Sequence, residues 1–242
     1  MSGWRFKTAF ILGAGLGLRL RPLTEHCPKP LLSLGGRPVI TYAMDHLLTI
    51  GAERFIVNTH HYSEAYLQKF PKSEWRGAPI IFRHEPVLLD TAGGLKNIED
   101  LLADDQAILC YNGDVVADFP LQKLISFHEQ KMPEATLVLR SSGTILNVDI
   151  NQRGEICDLR KALNNPGVRS CLFTGIYAIE KSLLWHIAAG KIETIITTFI
   201  ERITHRPGAV MGIVIDEGNW HDIGSVAEYE RLAAQADTLE AE

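Results

Sequence analysis

One segment constrains this chain more than any other. It is Gly13-Ala14-Gly15-Leu16-Gly17-Leu18-Arg19-Leu20-Arg21-Pro22, running on to Cys27-Pro28-Lys29-Pro30, directly after the apolar run Thr8 to Leu12. A Walker A loop requires GxxxxGK[ST], which is absent, and the dinucleotide fingerprint GxGxxG fails because the third glycine comes one residue early. Pro22, Pro28 and Pro30 prevent one continuous helix from following. An ordinary strand-to-helix turn with solvated charges is the plainer alternative. The segment fits a long loop better: its glycines let peptide N–H groups approach an oxyanion, and Arg19, Arg21 and Lys29 supply positive charge. Because the chain as a whole is acidic, with a net charge of −5, three cations beside a glycine nest point to a phosphate-rich ligand.

The remaining sequence alternates between strand-like and helix-like segments. Strands are expected at Thr8 to Leu12, Phe55 to Val57, Ile80 to Phe82, Ile108 to Tyr111 and Thr136 to Leu139. Helices are expected at Val39 to Leu48, Glu64 to Phe70, Leu95 to Leu102 and Leu121 to about Lys131. Pro38 suits the first turn of its helix and Gly51 lies beyond the end. Such alternation argues for parallel βαβ units and an open, doubly wound sheet. Beyond Leu139 the pattern becomes strand-rich, with short strands at Val148 to Ile150, Glu155 to Leu159 and Thr174 to Ile179. Helices return at Leu183 to Ala189 and Ile195 to Ile203, followed by a strand at Val210 to Ile215 and a helix from Val226 to Ala234. The expected fold is α/β: a Rossmann-like, mostly parallel sheet with a strand-rich insertion, in a single domain over residues 1–242.

Composition narrows the function classes. Apolar residues make up 46% and charged residues 22%, as in ordinary globular proteins. No apolar run approaches the roughly 20 residues that span a bilayer. The start MSGWRFKTAFILGAG resembles a signal peptide, but its apolar stretch is short and broken by glycine, so a buried strand is expected there. Acidic balance argues against nucleic acid and membrane surfaces as partners. Cys27, Cys110, Cys157 and Cys171 form no CxxC pair, which fits reduced thiols and a cytoplasmic location.

Two aspartates stand out. Asp114, in Tyr111-Asn112-Gly113-Asp114-Val115, follows the carboxyl end of an expected central strand, the edge where open α/β sheets bind ligands. Asp222 lies in Trp220-His221-Asp222-Ile223-Gly224. Each alone is an ordinary turn residue or cap, but Mg²⁺ needs only one or two carboxylates beside phosphate oxygens and water. Adjacent His60 and His61 point different ways and read as a solvated loop. In the loop from Glu85 to Leu95, Thr91 is a candidate N-cap.

The phosphate loop resembles the signature of the sugar-1-phosphate nucleotidyltransferases. Within them it is similar to short forms typified by N-acetylmuramic acid-1-phosphate uridylyltransferase and by mannose-1-phosphate guanylyltransferase-like proteins. The likeness covers nearly the whole chain, with a nucleotide-binding half over about 1–140 and a sugar-phosphate half with the final helix over about 141–242. The resemblance implies Mg²⁺ and attack of a sugar 1-phosphate on the α-phosphate of a nucleoside triphosphate, with pyrophosphate leaving. It implies phosphate contacts along Gly13, Ala14, Gly15 and Gly17, with Arg19 on the β- and γ-phosphates. Lys29 would bridge the α-phosphate and the sugar phosphate, and Asp114 and Asp222 would hold the metal. Base reading is implied for the loop of Glu85, Asp90, Thr91 and Gly93, sugar contacts for Thr174 and Gly175, a sugar-phosphate contact for Lys161, and a substrate contact for Asn112.

Asp90 replaces a common glycine, as in the uridylyltransferase branch, so UTP is the expected donor; a carboxylate can equally accept the N–H groups of guanine, and GTP or dTTP stay open. Phe173 replaces a family asparagine, and the family's Glu-Lys pair is missing, with Arg160-Lys161 its nearest equivalent. No hexapeptide-repeat domain is expected after the helix ending near Ala236. A monomer or homodimer is expected. A catalytically silent nucleotide-sugar sensor and an NAD-binding oxidoreductase are the alternatives. Arg19, Lys29, Asp114 and Asp222 together argue against the first, and glycine spacing and prolines against the second.

Overall fold

The computed structural model describes residues 5–102 and 105–240; the Met1 to Trp4 start of the signal-like stretch lies outside them. Strand β1 (Thr8–Leu12) is followed by a hairpin of β2 (Ser33–Leu34) and β3 (Arg37–Pro38), helix α1 (Ile40–Leu48), β4 (Arg54–Thr59), α2 (Glu64–Lys69), β5 (Glu74–Trp75) and β6 (Ala78–His84). Next come α3 (Asp90–Lys96), β7 (Ala107–Asn112), β8 (Val115–Ala117), α4 (Gln122–Lys131) and β9 (Ala135–Arg140). The strand-rich part holds β10 (Val148–Ile150), β11 (Ile156–Leu159) and β12 (Arg169–Glu180), and the chain closes with α5 (Ile195–His205), β13 (Val210–Val214), β14 (Trp220–Asp222) and α6 (Val226–Glu240).

The central sheet has ten strands in the order β11-β10-β12-β7-β1-β4-β6-β5, with β9 on β12 and β13 on β9. Strands β7, β1, β4 and β6 run parallel. The long β12 joins antiparallel to β7 and carries the strand-rich part. This is the expected doubly wound arrangement with its insertion. Of the parallel strands, β1, β4 and β7 are buried on both faces, as strands covered by helices on each side must be. Alternate residues show it. Ala9, Ile11, Phe55, Val57 and Leu109 pack with Ile40, Met44 and Leu47 of α1 and Leu124 of α4. Phe10, Ile56, Ile108 and Cys110 face the other way, onto Leu95 of α3 and Phe199 of α5.

Three expectations need correction. The helix read over Leu95 to Leu102 starts at Asp90 and ends at Lys96, with a separate 3₁₀ turn at Glu99–Leu101. The helix read over Leu183 to Ala189 is a 3₁₀ segment, Lys181–His186; Leu183, Leu184 and Ile187 all reach the core from this tight turn, a geometry that suits short pieces. Strands β8 and β14 lie in segments read as loops, and they pair antiparallel with Asp222 opposite Val115. No helix among the described residues is long and apolar enough to cross a membrane. All four cysteines are free.

Candidate active site

A cleft of about 640 Å³ opens over the carboxyl ends of β1, β4 and β7, lined by Ala14 through Leu20, Lys29, Asn58, Asp90, Thr91, Asn112 and Asp114. The phosphate loop forms one wall. Gly17 takes a left-handed conformation (φ 63°) that opens a 3₁₀ turn over Leu18–Leu20, and Thr24 Oγ1 donates to its carbonyl at 2.8 Å. Among the described residues, no hydrogen bond engages the peptide N–H groups of Ala14 to Gly17. These are the donors a phosphate chain needs. Arg19 lines the same wall.

Lys29 sits in a 3₁₀ turn between Pro28 and Pro30, which restrict its backbone, and only 8% of it is exposed. Its Nζ donates to Asp114 Oδ2 in a short ion pair and lies 4.0 Å from Asp222 Oδ1. Asp114 follows β7, and Asp222 ends β14. The β8–β14 pairing brings them together, and the Ile223 N–H donating to Asp114 O at 3.1 Å extends it. That pairing is clamped by Asn219, whose backbone N and Nδ2 donate to the Asp118 carboxylate at 2.6 and 2.8 Å. Burial pushes the Asp222 carboxyl above its usual range, and neighbouring Asp114 pushes it further, against the pull of Lys29 and Arg19. Two carboxylates that repel each other beside an open cleft suit a hard divalent cation.

Among the described residues no group of three or more His, Cys, Asp or Glu is placed to hold a metal unaided. The pair fits an ion of the Mg²⁺ type, which takes most of its ligands from water and substrate oxygens.

A second pocket of about 320 Å³ adjoins the first, and the two share Thr91 and Asn112 as lining residues, with Asp222 on the second pocket's wall. The strand register of β12 shifts between Phe173 and Tyr177, a bulge beside the site. Gly175 at this bulge has φ 78°, and a Cβ there would stand 2.4 Å from Asn112 Nδ2; glycine is what lets Asn112 reach the boundary between the pockets. Trp220 packs beneath, donating from Nε1 to Thr174 O at 2.9 Å.

The structure therefore gathers Ala14, Gly15, Gly17, Arg19, Lys29, Asp90, Thr91, Asn112, Asp114, Thr174, Gly175 and Asp222 around two joined pockets. Four expected contacts are not gathered. The Gly13 N–H donates to Asn58 Oδ1 at 2.8 Å and its carbonyl accepts from Tyr66 Oη at 2.9 Å, so its peptide is already engaged. Glu85 is fully buried, accepting from Asn58 Nδ2 at 2.8 Å and from Leu89 N at 3.0 Å; it braces the loop from within. Gly93 packs against the Lys191 carbonyl. Lys161 is exposed and off both pockets, and Arg160 lines the second instead.

Two more residues serve the framework. Thr91 does not cap its own helix. Its Oγ1 accepts from Ile195 N at 2.7 Å, at the start of α5. Thr174 is buried with its hydroxyl donating to Val138 O at 2.9 Å. Asp90 has φ 61°, the region where glycine is favoured and Asp is tolerated, which accounts for the glycine common at this position. The sequence reading missed Asn58, which lies 2% exposed at the carboxyl end of β4 and ties the phosphate loop to the Glu85 loop. Its position at a parallel strand's carboxyl end was the available signal.

Comparison with known proteins identifies the family. A model of the nucleotidyl transferase family matches residues 8–238, and the chain belongs to that family. Among its relatives is the mannose-1-phosphate guanyltransferase of Gibberella zeae, 31% identical over 230 residues, which cover 90% of this chain and 61% of the relative. The mannose-1-phosphate guanylyltransferase of Mycobacterium tuberculosis is 25% identical over 229 residues, covering 93% and 63%. The chain spans about three-fifths of the length of these relatives. In fold it is similar to HddC from Yersinia pseudotuberculosis complexed with GMP-PN (TM-score 0.76, 19% identity, 95% of this chain and 99% of that one). It is also similar to the inositol-1-phosphate CTP transferase from T. maritima (TM-score 0.77, 18% identity, 97% of each chain).

Proposed function

We propose that the protein transfers a nucleotidyl group from a nucleoside triphosphate to a sugar 1-phosphate, releasing pyrophosphate. The observation that carries this reading is the meeting of two pockets at Asn112 and Thr91, with the Lys29, Asp114 and Asp222 cluster at their junction. The larger pocket, with unengaged peptide donors and Arg19, suits the triphosphate. The smaller one suits the sugar phosphate. A phosphate oxygen of the sugar phosphate attacks the α-phosphorus while the bond to the departing pyrophosphate breaks. The nucleophile is already an oxyanion, so no general base is required. Catalysis then rests on positioning and charge neutralisation. Lys29 lies where the two phosphates crowd, and Arg19 grips the part that leaves.

Asp114 and Asp222 are the residues that would hold a divalent cation, Mg²⁺ in this reading. When bound, such an ion neutralises charge on the phosphate oxygens.

GTP is the donor this reading favours over the UTP expected from sequence. Guanylyltransferases stand among the relatives. Asp90, on the wall of the larger pocket, offers acceptor oxygens, and guanine presents more than one N–H donor on its pairing edge where uracil presents one. The test is product analysis by mass spectrometry with Mg²⁺, a panel of sugar 1-phosphates, and each of GTP, UTP, dTTP, CTP and ATP. A guanosine diphosphate sugar should form fastest. Faster formation of the uridine product would overturn the base assignment, and no nucleotide sugar from any donor would overturn the transfer reading.

A further inference from the structure

With the phosphates of a nucleoside triphosphate on the unengaged peptide donors of Ala14 to Gly17, the base has the α3 side of the larger cleft left to it. The lining there is Leu88, Asp90, Thr91 and Ile192. Asp90 offers acceptors to the edge of a base, but a base also has two flat faces to cover. No aromatic side chain lines this cleft among the described residues, so that task falls to aliphatic groups.

Ile192 is 63% exposed, although isoleucine is among the residue types most often buried. The strap that carries it is firmly fastened. Glu193 N donates to Leu89 O at 3.0 Å, and Ala92 N and Gly93 N donate to Glu193 O at 2.8 and 3.3 Å. On the other side of Ile192, the Lys191 carbonyl packs so closely on α3 that a Cβ at Gly93 would stand 2.3 Å from it. Lys191 Nζ pairs with Glu193 Oε1 at 2.8 Å. The two flanking side chains therefore share one face of the strap, and the isoleucine between them has the other.

We propose, on the basis of the transfer reading above, that Ile192 covers one face of the donor's nucleobase. An aliphatic group already held on a rigid strap needs little ordering on binding, and the water that it and the base shed together supplies affinity. A face contact of this kind serves any base and leaves the choice among bases to the edge. Ile192 comes from the second half of the chain, so donor binding draws on both halves.

The test is calorimetric binding, with Mg²⁺, of GTP, UTP and inorganic tripolyphosphate to the parent, Ile192→Ala and Ile192→Leu. Ile192→Ala should melt like the parent, because the side chain it truncates is exposed. It should bind the preferred nucleotide about tenfold more weakly, the low end of what a carbon lost from an apolar pocket costs. Tripolyphosphate, which has the phosphates and no base, should bind both proteins alike, and Ile192→Leu should restore nucleotide affinity. Unchanged nucleotide affinity in the alanine variant, or an equal loss with tripolyphosphate, would overturn this inference and leave the transfer reading intact. Failure of the parent to bind either nucleotide would bring down both readings.

Discussion

Lys29 is mostly buried between two carboxylates, so its removal leaves Asp114 and Asp222 facing each other without a cation. The two loop cations should therefore differ in effect. Arg19, on the triphosphate wall, acts in both bound and transition states, and Arg19→Ala should weaken triphosphate binding measured by calorimetry. Lys29 acts where the phosphates converge, so Lys29→Ala should mainly lower kcat and sugar-phosphate affinity. A loss of about 10²–10³-fold in kcat is the scale for one preorganised charge contact. Lys29→Arg should not restore activity, because a planar fork does not replace a point charge wedged between carboxylates. Equal losses of binding and turnover in both alanine variants would contradict this division. Asp114→Asn and Asp222→Asn should melt like the parent, since both stand at strand ends beside the cleft, yet lose about 10²-fold or more in turnover. Wild-type rates at low Mg²⁺ in either variant would remove that residue from the cation site.

At the scale of elements, α1 carries a buried device that holds the site from behind. His46 is 7% exposed, with Nδ1 against Tyr111 Oη at 3.0 Å and Nε2 against the Phe119 carbonyl at 2.6 Å. It thus ties β7, one residue before Asn112, to the segment after β8. Burial holds its pKa below the ordinary 6.5. The unfolded chain takes up a proton near that value and the folded chain does not, so stability is full above it and falls as pH drops below it. Urea midpoints should decline between pH 7 and 5.5, and His46→Asn should lose part of that slope; an unchanged slope would contradict the assignment. Thr91→Val should cost about 1 kcal/mol in the same assay, the usual value of a lost hydrogen bond, here the one its hydroxyl accepts from Ile195 N at the start of α5. These elements also mark what the sequence could reveal. The strands β1, β4, β6, β7 and β9 were legible because a buried parallel strand is a short, unbroken apolar run, and the phosphate loop because its glycines and cations are contiguous. The β8–β14 pairing was not legible. Three-residue strands carry no periodicity, and their partners lie about a hundred residues apart, so the sequence supplied the two aspartates but not the reason they meet. Thr91 read as the cap of its own helix, which it is not; its hydroxyl instead accepts from Ile195 N of α5, whose N-cap is Thr194, a contact that only the tertiary fold creates.

Over the whole molecule, the parallel half of the sheet presents the phosphate loop and Asn112 at its carboxyl edge. The antiparallel β12 then folds the second half back so that its pocket abuts the first. Neither half holds a complete site: Asp114 belongs to one and Asp222 to the other. Triphosphate cleavage should occur only when an acceptor phosphate fills the second pocket. This coupling is tested by pyrophosphate release in single turnover with enzyme in excess, Mg²⁺ and the preferred triphosphate, with and without sugar 1-phosphate. Release should require the sugar phosphate and match nucleotide-sugar formation mole for mole. Release at the same rate from the triphosphate alone would identify a hydrolase and rule out coupled transfer.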